Sequence, residues 1–295
     1  MRIIKQTLSD RMFLIFVYIV LGMATIITLY PFLYTLSMSI SSAEAVLKNQ
    51  VTLFPIGFTL DAYAKILQDK DFYIGYYNTI IYTLIGTGLN MMFTIAAAYP
   101  LSRKQFFGRR FFTIMFAFTM FFGGGMIPAF ILVSNLNLYN TRWAIWLPGL
   151  INTWNMIIAR TYMQSMPEDL YESGKIDGCS DFRYLWQILL PLIKPVLAVL
   201  IIYYGVAHWN SWFSAILYLN RNELMPVQVY LRRLVLQASN EIQLSSGAMV
   251  SGESTLGMLQ VRYAAIFAVC LPILCIYPFF QKYFVKGTMI GAIKG

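Results

Sequence analysis

Six runs of the chain contain no Asp, Glu, Lys or Arg: 12–43, 72–102, 111–141, 143–159, 195–220 and 263–281. A helix that crosses the hydrocarbon core of a bilayer needs about 20 mostly apolar residues, within roughly 17–25. Five of the runs reach that range comfortably, and 143–159 sits at its lower limit. The runs are apolar on all sides, without the alternation that marks the strands of a transmembrane barrel. A bilayer offers no water to backbone N–H and C=O groups, so spans of this kind must be helices. The pattern predicts an all-α integral membrane protein. Its six transmembrane helices are expected at about 12–40, 74–102, 111–134, 143–160, 195–219 and 263–281 of a single domain, 1–295. Between and after them lie a connection at 161–194, a longer one at 221–262 and a tail at 282–295.

The basic start at Arg2, Lys5 and Arg11 resembles that of a signal peptide. The apolar run behind it is much longer than a signal core of about 7–15 residues, and no A-x-A site follows, so a retained helix is expected. Of the 22 Lys and Arg residues, 14 fall in the N-terminus, the second and fourth connections and the tail, and eight fall on the other side. The positive-inside rule places the larger group, and with it both termini, in the cytoplasm.

Composition agrees. The chain is 58% apolar and 12% charged, against about 25% charged in an average soluble domain. A disordered protein, a coiled coil and an ordinary cytosolic enzyme are excluded. The net charge of +9 follows from the loop asymmetry, and no nucleic-acid partner is implied. Cys179, Cys270 and Cys275 show no metal-ligand spacing and no disulfide framework. His208 is the sole histidine, so no H-E-x-x-H site exists, and no Gly-x4-Gly-Lys-Ser/Thr loop is present to cradle ATP. Gly86-Thr87-Gly88 and Gly123-Gly124-Gly125 lie inside apolar runs, where close helix packing or a kink explains them. No catalytic residue is expected.

The connection at 161–194 is rich in helix punctuation. Pro167, Glu168 and Asp169 read as a helix start, and a short helix is expected to about Ile176. Asp177-Gly178 breaks it, because Gly tolerates the left-handed conformation at a helix end. Ser180-Asp181 can cap a second helix through Gln187 and beyond, with Pro191 and Pro195 marking its approach to the membrane. Two short helices joined in this way form a knob, and the small residues Ser173, Gly174, Gly178 and Cys179 let another surface come close.

Glu172-Ser173-Gly174-x2-Asp177-Gly178-Cys179, followed by Ile188-x-Leu190-Pro191, resembles the "EAA" loop of bacterial ABC importer permeases. Each expected Ala is replaced by another small residue, Ser173, Gly174 or Cys179. Gly124-Gly125-Met126-Ile127-Pro128, Trp143-Ala144, Leu147-Pro148 and the closing 283–295 are similar to the carbohydrate-uptake, maltose-type branch, above all its oligosaccharide and polysaccharide-fragment (lipoprotein-associated) members. The resemblance implies a maltose-type permease fold with a cytoplasmic coupling helix between the fourth and fifth spans, in the bacterial plasma (inner) membrane. It implies a homologous second permease subunit, two ATP-binding subunits, an extracytoplasmic solute-binding protein and a saccharide substrate. ATP and Mg would be held by the ATPase subunits, with no cofactor on this chain. Glu172, Ser173, Gly174, Asp177, Gly178, Cys179, Ile188 and Pro191 then become the ATPase-coupling residues, with Glu172 facing basic groups in a cleft of the ATPase.

Polar groups inside a membrane are costly and mark pathways. Asn152, Trp154 and Asn155 fall in the fourth expected span, and His208, Trp209, Asn210 and Trp212 in the fifth. Their amides and aromatic faces suit the hydroxyl edges and C–H faces of a sugar; Asn78 and Asn90 are weaker candidates. The connection 221–262, with Ser245-Ser246-Gly247 and Ser251-Gly252-Glu253-Ser254, reads as a mobile outer loop, and Arg232-Arg233 hints at an anionic saccharide. A six-helix secondary carrier or a non-transporting structural membrane subunit is the alternative. A carrier would be expected to hold charges inside its spans, and these spans have none.

Overall fold

The computed structural model describes residues 7–245 and 252–292. Its helices are α1 (Leu8–Ser39), α2 (Ala43–Leu47), α3 (Asp61–Gln68), α4 (Lys70–Ser102), α5 (Arg109–Phe121), α6 (Met126–Asn135), α7 (Trp143–Trp146), α8 (Thr153–Gln164), α9 (Asp169–Ile176) and α10 (Asp181–Tyr184). A π-helical turn at Leu185–Leu189 leads into α11 (Leu190–Leu192), α12 (Lys194–Trp209), α13 (Phe213–Tyr218), a 3-10 turn at Asn222–Leu224, α14 (Val227–Ser245) and α15 (Gly252–Ala292). No strand occurs among the described residues. Arg2, Lys5, the 246–251 part of the outer connection and the closing Ile293-Lys294-Gly295 lie outside them.

The expected pattern of six unbroken spans is modified in its middle. Leu8–Ser39, Lys70–Ser102 and Gly257–Phe279 are each long and apolar enough to cross a membrane. Two bent pairs bring the number to five if each is one span: Arg109–Phe121 with Met126–Asn135, bent by 115°, and Asp181–Leu192 with Lys194–Trp209, bent by 85°. The first bend falls on Gly123-Gly124-Gly125, where Gly125 has a φ of 85°, so these glycines make a kink, as their place in an apolar run suggested. The run 143–160 is not one helix either. Pro148 and Gly149 follow the single turn of α7, and the chain re-enters a helix only at Thr153, where the Asn152 side chain accepts from Asn155 N at 3.1 Å. The run 195–219 stops at Asn210, whose side chain donates to Val206 O at 3.0 Å, and resumes at α13.

The connection expected as a mobile loop at 221–262 carries α14 and the start of α15. The apolar residues Val227, Tyr230, Leu231 and Leu234 recur at helical spacing, a period that its Ser and Gly content obscured.

The chain divides into two compact units. In the first, residues 1–69 and 231–271, the N-cap Thr7 and Asp10 close a capping box at the start of α1. Most of α1 is exposed along an apolar surface, as a helix bathed in lipid would be. Met38, Ala45, Val46 and Val51 form a small core with Tyr34, Leu259 and Tyr263 against it, and Gln260 Nε2 donates to Ser41 O at 2.7 Å.

In the second unit, residues 70–230 and 272–295, α4 packs against both α8 and α12. The core runs through Ala98, Leu101, Met156, Ala159, Met163, Tyr184, Leu189, Ile193 and Leu200. It therefore ties the membrane helices α4, α8 and α12 to α10 and the π-helical turn in the 161–194 connection.

Candidate functional site

Helix packing at α4 opens a cavity where the chain is least helical. The cavity, of about 570 Å³, is lined by Asn90 from α4, Gly149, Asn152, Trp154 and Asn155 around the break between α7 and α8, and Tyr203, Tyr204, His208, Ser211 and Ser214 around the end of α12. A partly buried hydrogen-bond network fixes this wall. Asn90 Nδ2 donates to Gly149 O at 2.7 Å and to Leu150 O at 2.8 Å, satisfying carbonyls that the break in the helix leaves without intrahelical partners. Both amide protons are thereby used, so Asn90 Oδ1 is the acceptor toward His208 Nε2 at 2.6 Å. The imidazole then carries its proton on Nε2. Tyr204 adds a second pin: its hydroxyl is 2.6 Å from Thr94 Oγ1 and accepts from Asn152 N at 3.3 Å. Amides, hydroxyls and an imidazole thus share one cavity with Trp154 and Tyr203, a lining that can hydrogen-bond a polyhydroxylated ligand and offer aromatic contact to its C–H groups.

Of the seven pathway residues expected from sequence, Asn152, Trp154, Asn155 and His208 line this cavity. Trp209, Asn210 and Trp212 do not. Trp209 is buried edge-to-face against Tyr76 and borders a separate apolar crevice with Leu84 and Ile273. Asn210 bonds Gln228 and its own helix, and Trp212 packs edge-to-face on Phe213. Asn90 does line the cavity, whereas Asn78 donates to Glu223 O and Met225 O elsewhere. Tyr203, Tyr204, Ser211 and Ser214 were missed; the signal was a Tyr pair and two hydroxyls inside a charge-free run.

The knob at 161–194 folds as two short helices about Gly178. Gly178 N donates to Lys175 O at 3.0 Å and Cys179 N to Gly174 O at 2.8 Å, the paired bonds of a Schellman motif. Gly178 has a φ of 72° with open space around the position of a Cβ, so its backbone conformation is what requires glycine. Ser180 caps α10 by accepting from Arg183 N. Asp181 joins the two helices: its Oδ1 accepts from Tyr171 Oη at 2.8 Å and pairs with Lys175 Nζ at 3.1 Å. These two bonds, the tyrosine's first, hold the Asp181 carboxyl below its usual range, and the same carboxylate raises Lys175.

Glu172, Ser173, Asp177 and Gly178 are exposed, and Cys179 is half-buried. Gly174 is buried: a Cβ there would lie 3.4 Å from the Tyr184 ring and 3.6 Å from Ile188 Cδ1. Ile188 packs on the core and Pro191 is exposed, so the second half of the motif divides between inside and outside. Sequence reasoning missed the apolar crown of the knob. Ile176 is 86% exposed, Phe182 72% and Trp186 58%. Phe182 and Trp186 lie side by side, their ring centroids 6.1 Å apart, and neighbouring exposed apolar side chains mark an interaction surface.

Residues 90–289 match the family described as binding-protein-dependent transport system inner membrane component. The chain is 38% identical to the polygalacturonan/rhamnogalacturonan transport system permease protein YtcP of Bacillus subtilis, over 98% of this chain and all of that one. It is 37% identical to protein LplC of the same organism, over 98% and 97%. Among solved structures, a chain of a bacterial ABC transporter involved in the import of the acidic polysaccharide alginate superposes with a TM-score of 0.84 at 34% identity, covering 95% of this chain and 99% of that one. The fold, the length matched and the level of identity agree: the chain belongs to the family of inner membrane components of binding-protein-dependent transport systems.

Proposed function

We propose that this permease subunit of an ABC importer forms half of the translocation pathway for an oligosaccharide or polysaccharide fragment, with the cavity at Asn90, Asn152, Trp154, Asn155 and His208 as its part of the route. The cavity carries the reading, because polar and aromatic side chains line one space. The relatives' names, a polygalacturonan/rhamnogalacturonan permease and an alginate importer, point to the same class of cargo. The chain spans the membrane six times with both termini in the cytoplasm, the broken run 143–160 counting as one crossing; the distribution of Lys and Arg supports this.

Energy enters through the knob. Glu172, Ser173, Asp177, Gly178 and Cys179 meet a cytoplasmic ATPase, while Gly174 and Ile188 shape the knob from within. The exposed Ile176, Phe182 and Trp186 supply apolar contact area. ATP and Mg are held by two ATPase subunits, a second permease completes the pathway, and an extracytoplasmic binding protein delivers the sugar. Closure of the ATPases moves the knobs as rigid bodies.

The reading is tested in proteoliposomes holding the assembled importer, its binding protein and a panel of labelled neutral and uronic-acid oligosaccharides. At least one saccharide is expected to be imported and to stimulate ATP hydrolysis, and Trp154→Ala is expected to reduce its import about tenfold, the loss of one aromatic stacking face. Import of a non-saccharide solute alone, or full import by Trp154→Ala, contradicts it.

A further inference from the structure

Arg103 follows the last residue of α4, and its guanidinium lies among three tyrosine rings. The carbon at its centre is 4.2 Å from the Tyr171 ring centroid, 4.7 Å from that of Tyr184 and 4.9 Å from that of Tyr99. Those rings come from α9, α10 and α4, so one side chain bridges both knob helices and the membrane helix. Significant cation–π contacts occur about once per 70–80 residues, which makes three on one cation a built arrangement. Nε and Nη2 of Arg103 are buried without a hydrogen-bond partner among the described residues. Ring faces pack over the guanidinium that carries those donors. The rings are themselves fixed: Tyr171 donates to Asp181 Oδ1 at 2.8 Å and Tyr99 to Asp181 O at 3.3 Å, while Tyr184 stands edge-to-face on Tyr171 and is 1% exposed.

We propose that Arg103 is the joint through which movement of the knob is passed to α4 and so to the cavity. It rests on the reading of the knob as the ATPase docking element. Thirteen residues above Arg103, about 20 Å along a helix, α4 presents Asn90 to the cavity and to His208. The core at Ala98, Leu101 and Tyr184 and the Lys104–Glu168 ion pair already pack the knob beside α4, and Arg103 adds a hold on the helix end itself. A knob clamped by three rings carries the helix end with it. Arg103 is therefore a positioning residue, and its loss separates ATP hydrolysis from import without removing the ATPase.

The test uses the assembled importer in proteoliposomes with Arg103→Met, Arg103→Lys and, as a reference for docking, Glu172→Lys. Arg103→Met is expected to retain both ATPase subunits and their basal hydrolysis, while saccharide imported per ATP hydrolysed falls on the order of tenfold as the ring contacts are lost. Arg103→Lys keeps the charge but not the stacking plane and should fall part of the way. Unchanged import per ATP in Arg103→Met overturns the proposal. So does loss of the ATPase from Arg103→Met to the extent seen with Glu172→Lys, because Arg103 would then be shaping the docking face. If Glu172→Lys keeps full transport and ATPase retention, the docking reading fails and the joint with it. Should Arg103→Met not assemble, Tyr171→Leu removes one ring from the clamp and is judged by the same ratio, with the same two outcomes.

Discussion

The imidazole of His208 sits in a notch made by Gly86: a Cβ at position 86 would lie 2.5 Å from Nε2 and 2.6 Å from Cε1. The ring cannot swing aside freely, because Nε2 is bound to Asn90 Oδ1 one helical turn further along α4. Gly86→Ala should therefore force ring or helix to move and destabilise the permease by about 1–3 kcal/mol, the range for overpacking. Gly88, two residues on, has open space at its Cβ, and Gly88→Ala should be neutral or slightly stabilising. Thermal unfolding of the two purified variants in detergent separates them; equal behaviour would remove the notch as an explanation for Gly86.

Asn90 satisfies two carbonyls of the broken span and the His208 ring together. Asn90→Ala leaves all three without their partner; they are partly buried, so each costs at or below the low end of the about 1–3 kcal/mol of a fully buried group. We expect a large drop in midpoint temperature together with loss of import. His208→Gln, which keeps a donor toward Asn90, should lose less stability. The midpoint temperatures of the two variants, measured side by side, check the order.

Topology follows from the charge count. Single cysteines in a background lacking Cys179, Cys270 and Cys275 are expected to react with a membrane-impermeant reagent from outside intact cells at positions 65 and 232. At positions 104 and 175 they should react only after permeabilisation. Labelling of position 175 from outside would overturn the orientation and the coupling reading alike.

At Gly178 the constraint is the backbone, since φ is 72° and no atom lies within 4 Å of a would-be Cβ. Gly178→Val carries a left-handed penalty of about 1–2 kcal/mol. It should disorder the Schellman turn and lower substrate-stimulated ATP hydrolysis while the permease pair still assembles. Gly178→Asn should keep most of the activity, because Asn enters that region more readily. Equal hydrolysis rates in Val and Asn variants would show that the turn does not shape the docking surface.

How far the sequence could be read depended on the range of each interaction. The turn at Asp177-Gly178 and the cap at Ser180 are local, and both stand where the residue pattern put them. The kink at Gly123-Gly124-Gly125 was legible for the same reason. The break at Pro148-Gly149 had a local signal too, but a charge-free run of spanning length outweighed it. Cavity residues depended on helix phase. His208 and Trp209 are adjacent in sequence, yet successive side chains of a helix point about 100° apart, so one faces the cavity and the other an apolar crevice. The ring clamp on Arg103 joins residues from 99 to 184 and had no signature in any single segment.

Glu172 projects from the exposed side of α9, and no ion pair to it occurs among the described residues of the chain. As a solvated carboxylate it would tolerate either charge. Facing a basic group on an ATPase, it would not: losing one member of a desolvated pair costs about 2–5 kcal/mol, most of it from the charge left behind. Glu172→Lys should then reduce transport strongly and release the ATPase most readily at low salt, because added salt screens the new like-charge repulsion. Glu172→Gln should be milder, since the amide oxygen still accepts a hydrogen bond. A Lys or Arg to Glu change in the facing cleft of the ATPase should restore retention to Glu172→Lys if the pair is direct. Co-purification of the ATPase across a salt series, with import measured in parallel, decides the matter. Full retention and full transport in both Glu172 variants would mean that the knob is not the element that docks on the ATPase.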